Sequence, residues 1–108
     1  MELHIKERLL LPTIMPEKGN FMDFNLKKSI LKKIVLTEQD KNDYDIQENQ
    51  EERRIEWNVQ KDIATPLMVD FTQDELTYLK KTCEAIAERE MPDEVWAMVE
   101  RIYDEVQK

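Results

Sequence analysis

Residues 72–108 read TQDELTYLKKTCEAIAEREMPDEVWAMVERIYDEVQK, and this stretch makes the chain helix-rich. Thr72 and Glu75 have the spacing of a capping box, in which each side chain accepts from the other residue's backbone N–H. Leu76, Leu79, Cys83, Ile86 and Ala87 then fall on one stripe at helical spacing. Pro92 suits the first turn of a second helix, and Asp93 and Glu94 suit its positive end. Val95, Met98, Val99, Ile102, Tyr103 and Val106 supply that helix with an apolar face. The short link at 89–92 makes the two helices antiparallel neighbours, so a helical hairpin is expected over 73–107.

Working back from that hairpin, the middle of the chain changes period from helical to alternating. Leu67, Val69 and Phe71 alternate with Met68 and Asp70 after Pro66. Ile46 and Glu48 form one earlier arm, and Ile55, Glu56 and Trp57 the next, with Asn49-Gln50-Glu51-Glu52 as a polar turn. A small three-stranded antiparallel sheet over 45–71 is the expected result, with 58–65 as a connection.

The first third is helical again. Ile5, Leu9 and Leu10 mark a helix over 2–11 that Pro12 and Pro16 are expected to stop. The loop 12–20 holds two prolines and the only glycine. A second helix is expected over 22–35, with Leu26, Ile30, Leu31, Ile34 and Val35 sharing one face and Lys28, Lys32 and Lys33 on the other. Lys27 falls inside the apolar arc, where its stem can snorkel out. Thr37 and Asp40 approximate a capping box for a weak helix over 38–44. The fold class is therefore α+β, mostly helical, in a single domain 1–108. Helices followed by a β-hairpin make it winged-helix-like, a comparison at the level of fold alone.

Composition narrows the function. One glycine cannot write a phosphate-binding loop or a dinucleotide fingerprint. His4 is the only histidine and Cys83 the only cysteine, too few for a zinc site or an internal disulfide. His4 reads as a solvated side chain, and Cys83, on an apolar stripe, as a small buried hydrophobe rather than a nucleophile. The acid groups Glu48, Glu51 and Glu52, and Asp93 and Glu94, sit on a turn and at a helix start, where solvation and the helix dipole account for them. No enzyme activity, cofactor or metal is expected. No apolar run is long enough for a membrane span, and the N-terminus lacks the pattern of a secretory signal. The net charge of −8 divides into +3 over residues 1–36 and −11 over 37–108. Such a chain repels nucleic acid except at a local basic patch.

Two sets of residues are candidates for recognition. Trp57, Met68, Tyr78 and Trp96 are large groups that so short a chain has difficulty burying, and they are expected to face a protein partner or a second copy. Lys28, Lys32, Lys33, Arg53 and Arg54 are the basic face a winged-helix-like DNA-binding regulator would use. Glu38, Asp40 and Asp43 in the recognition-helix position argue against that alternative. A third reading is that the acidic surface mimics nucleic acid and blocks a DNA-binding host protein.

The segment Lys6-Glu7-Arg8-Leu9-Leu10-Leu11, followed by Met15-Pro16-Glu17-Lys18-Gly19-Asn20-Phe21, resembles the start of small proteins encoded by bacteriophages and prophages. In those, a helix with an RLxL core leads into a P-x-K/E-G-N-F loop. Leu36, Thr37 and Asp40 match their L-T-x-x-[DE] helix start, Ile55, Trp57 and Asn58 their I-x-W-N strand, and the helical end completes the pattern. The resemblance implies a phage origin with no established activity, and it transfers no functional residue. The expected function is non-catalytic: protein–protein interaction or self-association in the cytoplasm of a host cell.

Overall fold

The computed structural model describes residues 1–107. Its elements in chain order are β1 (Glu2–Leu3), α1 (Ile5–Ile14), α2 (Phe21–Ile34), α3 (Glu38–Asp43), β2 (Gln47–Asn49), β3 (Arg54–Glu56), α4 (Val59–Ala64), β4 (Leu67–Met68), α5 (Gln73–Ala85) and α6 (Asp93–Val106). The α+β class holds, and four helices build the core. α5 packs against both α6 and α2, and α1 packs against α6. Leu3, Leu11, Ile14, Ile30, Ile34, Leu79, Ile86 and Ile102 are almost wholly removed from water in one cluster. The expected hairpin over 73–107 is present as α5 and α6, with the Thr72–Glu75 capping box formed at its start.

The three-stranded sheet is not. β2 pairs with β3 as an isolated antiparallel hairpin, while β4 pairs antiparallel with β1 at the other end of the chain. Leu3 stands opposite Leu67 and Glu2 opposite Met68. Val69 continues the pairing by bonding through both backbone groups to Met1. Leu67 and Val69 turn inward and Met68 outward, as alternation predicts. The partner strand lies some 65 residues away in sequence, and a two-residue segment leaves no pattern to announce it. With only two hairpin strands, the region lacks the winged-helix sheet. Residues 59–64, read as connection, form α4 instead.

The first helix also shifts. Residues 2–3 are strand, and α1 runs through Pro12 to Ile14. A proline removes one N–H bond, here to Arg8 O, and usually ends a helix. Burial of Leu11, Ile14 and Met15 holds the last turn together past that point. At the other end, the buried Asp62 of α4 accepts from the Ile5 N–H at 3.2 Å, placing a carboxylate at the positive end of α1. His4 lies beside it, with Nδ1 3.4 Å from Asp62 Oδ2, rather than free in solvent.

Two ionic groups lock the helices in place. Arg8 on α1 is buried and donates from Nε to Ile34 O (2.9 Å) and from Nη2 to Val35 O (2.8 Å) and Asp40 Oδ2 (2.7 Å). It thereby satisfies carbonyls that the C-terminus of α2 leaves unbonded. Glu75 on α5 is buried and accepts from Lys33 Nζ (2.5 Å), Ser29 Oγ (2.7 Å) and the Thr72 N–H (2.8 Å). Glu7 and Arg101 form a further pair between α1 and α6.

Candidate functional site

α2 is a long helix whose outer surface the fold leaves largely uncovered. Its start is well defined. Asn20 accepts from the Asp23 N–H at 2.8 Å, and Asp23 reaches back to the Asn20 N–H. Gly19 permits this close turn, because a Cβ there would lie 2.9 Å from Asp23 Cβ. Its inner side is fixed by Ile30 and Ile34 in the core, by Lys33 on Glu75 and by Arg8 at its end. These contacts set the rotation of the helix and decide which residues face outward.

At about 100° per residue, Leu26, Ile30 and Ile34 form one stripe, and Phe24, Leu31 and Val35 a second, about 120° away. The first stripe is used by the core. The second is used only at Leu31, which is half-buried against the core, while Phe24 is 56% exposed and Val35 57%. Phe21 adjoins them at 75% exposure. The charges follow the same geometry, with Lys27 on one flank of the second stripe and Lys28 and Lys32 on the other. Lys27 Nζ donates to Pro16 O at 2.9 Å, a neutral acceptor, and Lys28 Nζ stands 5.4 Å from the centre of the Phe24 ring. Among the described residues, Lys27, Lys28 and Lys32 have no ion-pair partner.

Two shallow grooves meet on this face. One, of about 490 Å³, is lined by Phe24, Leu31, Val35, the three lysines and Glu17. The other, of about 480 Å³, shares Leu31 and Val35 and extends over Leu9, Pro12, Leu36, Ile46 and Ile55 toward the β2–β3 hairpin. A continuous apolar path therefore runs from Phe24 to the hairpin, with cations along its α2 side.

The residues singled out from the sequence are dispersed by comparison. Tyr78 is buried, corrected from an interface position, and packs into the core. Burial raises its phenol pKa, and the nearby Asp23 charge adds to the rise. Trp96 is half-buried and lines a separate groove between α5 and α6. Met68 is 70% exposed on β4, and Trp57 is half-buried after β3. The basic set is divided too. Lys33 is spent on Glu75, and Arg54 pairs with Glu52 and Glu56 within the hairpin. Arg53 is exposed beside it, at a positive φ of 53°. Only Lys28 and Lys32 lie on the α2 face. Phe21 and Phe24 are not legible as site residues, and Leu31 and Val35, expected on one face with Leu26, Ile30 and Ile34, stand on a separate stripe. The signal available was the second apolar stripe itself, one more than a helix packed on a single side requires.

Cys83 is buried, and burial first, with the Glu84 charge second, pushes its thiol pKa up to about 11. Among the described residues no group of three His, Cys, Asp or Glu is placed to hold a metal ion, and no helix is long and apolar enough to cross a membrane. No protein-family model, curated protein or solved structure matches the chain.

Proposed function

We propose that this chain is a non-catalytic interaction protein that engages a protein partner through the outer face of α2. The observation that carries the reading is the pair of exposed side chains Phe24 and Val35, with the half-buried Leu31 between them, on a helix whose other side is locked into the core. Exposed large apolar groups that adjoin one another mark recognition surfaces more often than isolated ones do. The resemblance to small phage and prophage proteins favours a bacterial host cytoplasm as the setting. A DNA-binding role has weaker support, because two of its five candidate cations, Lys33 and Arg54, are already matched with carboxylates. The surface cations that remain on α2 alternate with aromatic and aliphatic groups rather than forming a polar track for phosphates.

The test is capture by the tagged chain from nuclease-treated bacterial lysate, comparing wild type with Phe24→Ser. Phe24 contributes little to the core, so the variant is expected to keep its stability within about 0.5 kcal/mol. A protein retained in stoichiometric amount by wild type and lost by the variant is the expected result. Capture that the variant leaves unchanged, or that disappears on nuclease treatment, overturns the reading.

A further inference from the structure

We infer that the face of α2 takes an acidic amphipathic helix from a partner protein, laid along the Phe24–Leu31–Val35 stripe. This rests on the reading just given and adds the chemistry of the occupant. Phe24, Leu31 and Val35 are spaced seven and four residues apart, the spacing of a helix–helix seam. From Phe24 to the C-cap Val35 the stripe spans most of a 14-residue helix, roughly 17 Å of contact line at 1.5 Å per residue. Lys27 on one side, and Lys28 and Lys32 on the other, occupy flanks where charges of a helix pair choose the partner. Among the described residues none of the three is paired with a carboxylate. They stand out in a molecule whose net charge is −8, and carboxylates on both edges of an incoming helix would complement them. The second groove, past Leu31 and Val35 toward Ile46 and Ile55, gives that helix an apolar floor beyond the seam.

Other occupants fit less well. Two α2 faces meeting about a two-fold axis would set lysines against lysines. The exposed large hydrophobics away from α2, Val59, Ile63 and Met68, lie on a six-residue helix and a two-residue strand, which offer no seam of matching length. An anionic membrane would meet the same lysines, but also the repulsion of a surface that is acidic over residues 37–108.

The experiment is a fluorescence-anisotropy titration with designed helical peptides of 18 residues. The acidic probe carries Leu at i, i+3, i+7 and i+10 with Glu on the flanks. A basic probe carries Lys in place of Glu, and a third keeps Glu but replaces Leu with Ala. The expected result is saturable binding of the acidic probe alone, weakened about tenfold by Phe24→Ser and by raised salt. Lys28→Glu/Lys32→Glu is expected to reverse the preference, losing the acidic probe and gaining the basic one. That exchange is something a merely unfolded variant cannot produce. Equal binding of acidic and basic probes, or no binding of either, overturns the inference. So does Phe24-dependent dimerisation in sedimentation, or binding to phosphatidylglycerol vesicles in place of the peptide. If the peptides fail while lysate capture still depends on Phe24, the interaction reading stands and only the acidic occupant falls. If both fail, both fall.

Discussion

Arg8 shows how one buried side chain can set the geometry of a surface. Its guanidinium is held by two carbonyls at the end of α2 and by Asp40 of α3, so three elements converge on one buried cation. Removing one partner of a buried ionic group leaves the others unsatisfied. Arg8→Met is therefore expected to cost about 3–5 kcal/mol, read as a loss of midpoint in urea unfolding. Glu75 plays the corresponding role on the other side of α2. Burial alone would raise its pKa, but Lys33, the Thr72 N–H and Ser29 outweigh that and bring it below 4.5. Asp40 behaves alike: burial raises it, Arg8 and Thr37 together lower it further, and its pKa falls below 3.8. Both values are depressed by folding, so in acid the unfolded chain binds the extra protons. The stabilisation is complete above about pH 5 and is lost as pH falls through the two lowered values. Urea midpoints measured from pH 6 to pH 3 are expected to drop for wild type and to drop less for Glu75→Gln. Identical slopes for the two proteins would remove Glu75 from the account.

At the scale of elements, α2 works because its start is capped and its inner face is fixed. Asn20→Ala removes the acceptor for the Asp23 N–H and is expected to cost about 1 kcal/mol, measured by thermal unfolding. The elements that were legible in the sequence are those whose signals are local. The Thr72–Glu75 capping box and the period of Val95, Met98, Val99 and Ile102 announce α5 and α6 within single stretches of chain. β4 was legible as an extended segment, but its partner was not. Pairing of Leu67 with Leu3 joins distant segments of a chain in which α1 and α5 both pack against α6, which no local pattern records. Pro12 misled for a related reason: its local cost is real, and the tertiary burial of Leu11 and Ile14 outweighs it. The candidate site was half legible. Lys28 and Lys32 were marked by charge, whereas Phe21 and Phe24 gain meaning only once Ile30, Ile34 and Lys33 fix the rotation of α2.

The whole molecule divides its charge and its apolar surface in the same way. The region of net positive charge includes α2, and four of the large hydrophobics left exposed, Phe21, Met22, Phe24 and Val35, lie on α2 or directly after it. The acidic remainder provides the hairpin of α5 and α6 and supports α2 from beneath. Such a division is the basis of the proposal that the α2 face takes an apolar, acidic partner. The most direct measurement is site-specific photo-crosslinking in living bacteria, with a benzophenone side chain placed in turn at Val35, at Phe24 and at the exposed Glu88. The account predicts a nuclease-resistant adduct with one protein at Val35 and Phe24 and none at Glu88. Adducts of equal yield at all three positions, or adducts at Glu88 alone, would contradict it.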